Sequence, residues 1–148
     1  MKRVIVFGGL GLFGRTIIAE LAKIGIPATA VSRRPSAPIQ CDAEDPDSLR
    51  KVLHLADIII DAAGPFHLRS MVLLEAATEI GCDMIDINDN LHYAQQVVAL
   101  EPQINAAGIR VLTSASTVSA VAAAIICHSG ISTPTRITSF LAPATRHT

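Results

Sequence analysis

Four glycines lie within seven residues near the start of the chain, at positions 8, 9, 11 and 14. Glycine loses more conformational entropy on folding than any other residue, so such a cluster indicates a place where the main chain is approached closely. Three of them have the spacing G-x-G-x-x-G, between an apolar run and a helical pattern. There, Gly9 permits a tight turn, Gly11 lets a pyrophosphate approach the backbone, and Gly14 lets the helix pack against the strand.

The start of the following helix strengthens this interpretation. Its first N–H groups are free and carry a partial positive charge, which attracts phosphate. No Gly-Lys-Ser/Thr sequence follows, which excludes a P-loop. We predict a dinucleotide site rather than a glycine-rich turn that binds nothing, and its phosphate end comprises Gly8, Gly9, Gly11, Leu12, Phe13 and Gly14.

The end of the second predicted strand distinguishes the two nicotinamide dinucleotides. An NAD site has an Asp or Glu about 20 residues after the glycines, which binds the ribose 2′-hydroxyl. This chain has Ser32, Arg33 and Arg34 there. A hydroxyl and two guanidinium groups suit a 2′-phosphate, which a carboxylate would repel. We predict NADP, with NAD the less favoured cofactor; the alternative is that both arginines are solvated loop charges.

Two further loops are expected to line the same crevice, because the carboxyl ends of parallel strands meet at one edge of a sheet. Asp42, after the third predicted strand, can accept a hydrogen bond from an adenine amine or serve as an ordinary loop acid. Ala63, Gly64 and Pro65 follow the fourth predicted strand. These small residues allow the ribose and nicotinamide of a cofactor to lie against the backbone.

Composition limits the function classes. The chain has 148 residues, of which 50% are hydrophobic, and a net charge of -1. It is therefore about one domain long, with no basic footprint for nucleic acid or an anionic membrane. Three widely spaced cysteines without a C-x-x-C motif argue against a disulfide framework or a metal site of the zinc type, and they favour a reducing cytoplasm.

The elements that must position these residues alternate along the chain. Apolar strands are predicted at 4–7, 28–31, 39–41, 57–62, 84–87 and 109–112, with one more at 136–141. Strands that are apolar throughout and separated by helices indicate a parallel sheet covered on both faces. We predict an α/β fold, a doubly wound parallel sheet of about six strands (a Rossmann fold), for residues 1–148. We also expect this domain to be the front part of a longer protein.

Helical periodicity predicts the intervening helices. An apolar stripe of Phe13, Ile17, Leu21 and Ile24 follows the glycines, and Gly25 ends that helix. Asp45 and Pro46 are typical of an N-cap and first helical residue. A second stripe runs from Leu68 to Ile80 through Val72 and Ala76 and ends at Gly81. Further helices are predicted at 91–107, interrupted near Pro102, and at 118–127.

No catalytic residue is assigned from the sequence. Candidate proton donors are His67, His92, Tyr93, Ser114 and Ser116, each of which has a surface or capping role as its alternative. The Tyr-x-x-x-Lys pair of short-chain dehydrogenases is absent, since Gln-Gln-Val follows Tyr93-Ala94. The acids that flank strands are expected to cap turns or stay solvated: Asp57, Asp61, Asp83 and Asp86.

The order of these motifs resembles the N-terminal domain of the saccharopine dehydrogenase-like reductases. The resemblance covers residues 4–112 and rests on GGLGLFGR, VSRR, DIIIDAAGPF and AATEIGCDMIDIND. Within the last segment the family pattern is matched by Ala76, Ala77, Gly81, Asp86 and Asp89. Met84 departs from it, because the family commonly has Tyr there.

The resemblance implies hydride transfer between a nicotinamide cofactor and a small-molecule substrate with a carbonyl, imine or C=C group. It also implies a C-terminal substrate and dimerisation domain, and hence a possible homodimer. An alternative is a non-catalytic, NmrA-like NADP-sensing regulator, which the missing Tyr-x-x-x-Lys pair fits equally well. A mixed α/β domain after Thr148 favours the reductase, and a short helical tail favours the sensor.

Overall fold

The computed structural model describes residues 2–116 and 122–133. Its strands are β1 (Val4–Phe7), β2 (Ala28–Ser32), β3 (Ile39–Gln40), β4 (Ile58–Asp61), β5 (Asp83–Asp86) and β6 (Val111–Leu112). Its α-helices are α1 (Leu12–Lys23), α2 (Pro46–Val52), α3 (Val72–Ile80), α4 (Leu91–Ala99), α5 (Glu101–Ala107) and α6 (Ala122–His128), and a 3₁₀ turn spans Phe66–Leu68. None of the helices in these two ranges is long and apolar enough to cross a lipid bilayer.

All six strands form one parallel sheet in the order β3-β2-β1-β4-β5-β6. The register aligns Val4 with Ala28 on one side and with Ile58 on the other. The chain builds outward from β1 through β2 to β3, then crosses back to start β4 on the other side of β1. The predicted doubly wound sheet is therefore confirmed, with β1 central and the glycine loop at its carboxyl end.

Side chains of β1 alternate between two cores, as the two-residue period of a strand requires. Ile5 and Phe7 belong to the larger core, which also holds Leu49 of α2 and Leu73 of α3. Val4, Val6 and Ile60 form the smaller core on the opposite face, where α1 packs. Because both faces are covered by helices, the strands can be apolar throughout.

The predicted apolar stripe of helix α1 is partly buried at Ile17 and Leu21 but exposed at its two ends. Phe13 is 62% and Ile24 69% exposed, whereas Ile17, Ile18 and Leu21 pack on the smaller core. The buried face is centred on Gly14, the one fully buried residue of the helix. Phe13 lies about 100° around the helix from Gly14 and so falls outside that face.

Local backbone conformation explains where several other helices begin and end. The stripe from Leu68 to Ile80 does not form one helix, because Arg69 has extended backbone angles that separate the 3₁₀ turn from α3. Gly81 ends α3 in the left-handed conformation, as predicted. The interruption near Pro102 is confirmed, since α4 and α5 meet at Leu100. Of the predicted 118–127 helix, the structure describes Ala122–His128, while the 136–141 strand lies outside the described residues.

A partly buried ion pair connects the residue before β1 to the residue before β4. Asp57 is 3% exposed and accepts hydrogen bonds from Arg3 Nε at 2.9 Å and Arg3 Nη2 at 2.5 Å. The backbone N–H of His54 donates to the same carboxylate at 2.8 Å. Arg3 Nη2 also donates to the carbonyl of Val52 at 2.7 Å. Asp57 caps a turn as expected, but it is buried rather than solvated.

We predict that Arg3→Ala destabilises the domain by about 2 kcal/mol, because it leaves the Asp57 carboxylate buried without its cation. The cost stays below that of a fully buried pair because Arg3 is itself partly exposed. Urea unfolding followed by circular dichroism measures this change. Lys23→Ala, which removes an exposed pair with Glu20, is the control and should change stability by under about 0.5 kcal/mol. Equal effects of the two variants would contradict the prediction.

Candidate functional site

The glycine loop joins β1 to α1 with no room for side chains at three of its positions. A Cβ atom on Gly8 would lie 2.6 Å from the carbonyl oxygen of Ala62, and one on Gly9 would lie 2.6 Å from the Ala30 Cβ. A Cβ on Gly14 would overlap the carbonyl oxygen of Gly8. Gly8 also has a φ of +70°, which non-glycine residues rarely adopt. The loop therefore requires glycine for steric reasons.

The amino end of α1 points out of this loop. Gly11 is the N-cap residue and its N–H donates to the carbonyl of Gly8 at 2.8 Å. No side chain caps the helix, and its first turn contains no acidic residue. The first N–H groups of α1 are thus left for another acceptor, and the helix dipole favours a negatively charged one.

A cavity of about 460 Å³ opens beside the loop. It lies at the carboxyl ends of β1, β2, β3 and β4, where the strand order reverses and ligands of doubly wound sheets bind. Its lining includes nine of the residues expected to bind a cofactor, namely Gly8, Gly11, Ser32, Arg33, Arg34, Asp42, Ala63, Gly64 and Pro65.

Four expected residues do not line this cavity. Gly9 and Gly14 are buried between β1, β2 and α1, which agrees with their proposed steric roles. Leu12 and Phe13 begin α1 with side chains that are 73% and 62% exposed. Their backbone N–H groups are among the first of α1, which have no acceptor within the helix.

The arginine pair borders the cavity at the end of β2. The Ser32 hydroxyl accepts a hydrogen bond from the Arg34 N–H at 3.3 Å, and Gln40 Nε2 donates to the Arg33 carbonyl at 3.2 Å. Both arginine side chains are exposed. Within residues 2–116 and 122–133, no carboxylate pairs with either guanidinium. Their charge is therefore available to an anion.

The segment after β3, residues 42–44, forms a second wall. The Asp42 carboxylate accepts a hydrogen bond from the Glu44 N–H at 3.0 Å, which fixes a tight turn. The Ser48 hydroxyl donates a hydrogen bond to Sγ of Cys41, the residue before Asp42, at 3.3 Å. Sequence reasoning named only Asp42 here and missed the other lining residues Cys41, Ala43 and Glu44.

The turn after β4, residues 62–65, forms the opposite wall and rests on a buried carboxylate. Asp61 is fully buried, and its Oδ1 accepts a hydrogen bond from the Ala63 N–H at 2.9 Å. Arg69 Nη1 donates to the Ala63 carbonyl at 2.7 Å, and Arg69 Nη2 lies 3.2 Å from Asp61 Oδ2. Burial raises the pKa of Asp61, although the charge of Arg69 opposes that shift. Asp61 thus caps the turn after β4, which is one of the two roles expected for it, and it is buried rather than solvated.

Asp86 organises the next loops along the edge. It is fully buried, and its Oδ1 accepts hydrogen bonds from the N–H groups of Asn88 and Ser114 at 3.1 and 2.9 Å. Asn88 Nδ2 donates to Asp86 Oδ1, to Thr113 Oγ1 and to Ser114 Oγ. Asp86 is therefore buried rather than solvated, while Asp83 pairs with Lys2 and Arg110 near the surface.

The candidate proton donors do not border the cavity. His67 and His92 are exposed, and Ser114 is held in the Asp86–Asn88 cluster with a φ of +59°. Tyr93 is 1% exposed and packs edge-on against Phe66, with ring centroids 5.2 Å apart. Burial raises the pKa of Tyr93, and the charges of Asp61 and Asp86 add to that shift.

Comparisons with known proteins agree with this geometry. Residues 4–112 match the family described as the saccharopine dehydrogenase NADP binding domain. A 61-residue segment, 41% of this chain, is 30% identical to a protein of Arabidopsis thaliana. That relative is named "Probable mitochondrial saccharopine dehydrogenase-like oxidoreductase", and the segment spans 13% of its length.

Solved structures share the fold. The UDP-N-acetylglucosamine 4-epimerase of Bacillus cereus is similar with a TM-score of 0.55 and 12% identity, over 76% of this chain and 59% of that one. The UDP-glucose 4-epimerase of Thermus thermophilus, solved in complex with NAD, gives 0.54 and 13%, over 76% and 54%. At these identities the similarity shows the fold alone.

Tyr93 is the single tyrosine of the chain, so its ionisation can be followed by the ultraviolet absorbance of tyrosinate. Because its folded-state pKa is raised, the unfolded chain loses this proton first, and stability should fall as pH rises above about 10. We expect tyrosinate to appear only together with loss of the far-ultraviolet circular dichroism.

Tyr93→Phe provides the control for that titration, since it should remove the absorbance change altogether. A reversible tyrosinate signal with a midpoint at or below about 10, while the circular dichroism stays native, would contradict the buried placement of Tyr93.

Proposed function

Because the chain belongs to the saccharopine dehydrogenase NADP-binding domain family, we propose that its cavity binds NADP(H) through the adenosine and pyrophosphate portions of the cofactor. The observation that carries this proposal is that Arg33 and Arg34, free of carboxylate partners in the described part of the chain, border the same cavity as the glycine loop.

The distribution of charge supports a phosphorylated ligand. The pyrophosphate would meet the free N–H groups and the dipole of α1 next to Gly11, and a 2′-phosphate would meet the two guanidinium groups at the end of β2. The acidic residues of the cavity are engaged elsewhere: Asp42 accepts from the Glu44 N–H, and Glu44 pairs with Arg69. The position after β2 that holds an acid in NAD sites is occupied by Ser32 and the arginines.

The further activity we propose is hydride transfer in an oxidoreductase that acts on a small organic substrate. A bound nicotinamide nucleotide supplies the hydride chemistry, and this chain would bind and orient it. The 62–65 turn is held by Asp61 and Arg69, so it offers a rigid backbone surface against which the cofactor would lie.

One observation favours a second candidate, a protein that binds NADP(H) as a regulator without catalysis. None of His67, His92, Tyr93, Ser114 and Ser116 borders the described cavity. The reductase predicts that NADPH is oxidised when the natural full-length protein is given carbonyl or imine compounds. The regulator predicts nucleotide binding with no turnover of any of them.

We expect Gly11→Asp to abolish dinucleotide binding and leave the fold intact. Its φ of −80° suits any residue, and Asp is a favourable N-cap, so the helix tolerates the change once the 3.0 Å approach to the Gly8 carbonyl relaxes. The new carboxylate would lie where the pyrophosphate binds. Isothermal titration calorimetry with NADPH measures the loss.

Ala19→Asp is the matched control for this variant, because it adds the same charge to an exposed position of α1 away from the loop. It should bind NADPH like the unmodified chain. Near-normal affinity of Gly11→Asp would show that the loop is not the phosphate site.

Replacing Arg33 and Arg34 together by Ala should weaken NADPH binding by about 2–4 kcal/mol, since charge-assisted hydrogen bonds contribute about 1.5–3 kcal/mol each and are not additive. NADH lacks the 2′-phosphate, so its affinity should hardly change. Added salt should also weaken NADPH more than NADH, because exposed charges are screened within about 10 Å at 0.1 M.

Arg50→Ala with Lys51→Ala is the matched control for the arginine pair. Both residues are exposed on α2 outside the cavity lining, and their loss lowers the net charge by the same amount. Calorimetry of each variant with both nucleotides distinguishes binding of the 2′-phosphate by the arginine pair from a general effect of charge. Equal losses of affinity for NADPH and NADH would contradict the assignment of NADP as the cofactor.

A further inference from the structure

Glu44 joins the two walls of the cavity. Its carboxylate pairs with Arg69 Nε and accepts hydrogen bonds from Ser70 Oγ at 2.5 Å and from the Ser70 N–H at 3.3 Å. Glu44 belongs to the segment after β3, whereas Arg69 and Ser70 follow β4, 25 and 26 residues later. Three interactions of one carboxylate therefore connect loops that are far apart in the chain.

Arg69 is fixed on the side away from Glu44. Its side chain is only 8% exposed, Nη1 donates to the Ala63 carbonyl, and Nη2 faces Asp61. All three guanidinium nitrogens are thus directed at protein groups. Arg69 borders the cavity, with Nε and Nη1 hydrogen-bonded to the walls and the buried Nη2 in an ion pair with Asp61 that makes no hydrogen bond.

The pKa of Glu44 lies below its ordinary value. Burial opposes this shift, but the Ser70 hydroxyl and the Arg69 guanidinium outweigh it. The carboxylate is therefore ionised at neutral pH and holds both partners by charge-assisted bonds. Because Asp61 in turn holds Arg69, the chain Glu44–Arg69–Asp61 runs from the 42–44 segment to the end of β4.

We propose that this Glu44–Arg69–Asp61 chain is a positioning device that sets the separation of the 42–44 and 62–65 walls, between which the adenine base of the dinucleotide lies. This inference rests on the proposed function. A planar base gains from contact on both faces, so widening the gap forfeits part of that contact. Glu44 and Arg69 act through the walls and are not ligands of the cofactor.

A purely electrostatic role of Glu44 and a positioning role predict opposite effects of Glu44→Ala on ligand affinity. Removing a negative charge beside an anionic ligand should tighten binding if charge alone matters. If Glu44 holds the walls, its removal should weaken binding of NADPH and of adenosine 2′,5′-bisphosphate alike, by about ten-fold, which corresponds to about 1.4 kcal/mol. Glu44→Gln keeps hydrogen-bonding capacity without charge and should recover part of the affinity.

The experiment is calorimetry of the 148-residue chain and its variants with both ligands. Glu79→Ala is the matched control, because it removes an exposed acid that pairs with Arg50 outside the cavity. Thermal unfolding of each variant identifies any general loss of structure. Amide hydrogen exchange should accelerate at residues 42–45 and 62–65 in Glu44→Ala and stay unchanged there in Glu79→Ala.

The results of this experiment distinguish a failure of the proposed function from a failure of the positioning role alone. If the unmodified chain binds neither ligand, the proposed function fails and the inference fails with it. If the unmodified chain binds both, but Glu44→Ala binds as well as Glu79→Ala or more tightly, only the positioning device is overturned. Should Glu44→Ala prove unstable, Ser70→Ala, which removes one of the three interactions, should show a smaller loss in the same direction, and unchanged affinity there would also count against the proposal.

Discussion

The close approach of the main chain at Gly8 and Gly14 is the constraint on which the rest of the carboxyl edge depends. No Cβ fits between the end of β1, the start of α1 and the backbone of Ala62. As a result α1 begins directly above the strand end, with its N–H groups facing the point where strand order reverses. Bulkier residues would push α1 and the β4 turn away from each other and open the cavity between them.

Buried carboxylates stabilise the other loops at this edge. Asp61 and Asp86 are aligned in the register of β4 and β5 and are both fully buried. Arg69 pairs with Asp61, whereas Asp86 has no ion-pair partner among the described residues. Burial of an unpaired carboxylate is costly, but hydrogen bonds from backbone N–H groups offset part of that cost. Each acid accepts such bonds from the loop that follows its strand, so its burial fixes the conformation of that loop.

Local sequence signals predicted the features that depend on neighbouring residues. The bounds of β1, the Asp45–Pro46 helix start and the end of α3 at Gly81 follow from apolar runs, capping and glycine conformation, and each is confirmed. The exposure of Phe13 was not predictable from helical spacing, because the buried face of α1 is set by the contact at Gly14. The role of Arg69 was missed because its partner Glu44 meets it only when the loops after β3 and β4 come together in the folded sheet.

The two ends of the candidate site differ in how they are built. At the β2–β3 end, walls from residues 42–44 and 62–65 enclose a cavity, and Glu44 ties them together. At the β5–β6 end, Asp86 and Asn88 order the loop around Ser114 through hydrogen bonds. Under the proposed function, the adenosine part of the cofactor would contact the two walls. In that case its nicotinamide would extend toward β5, next to the loop that Asp86 and Asn88 order.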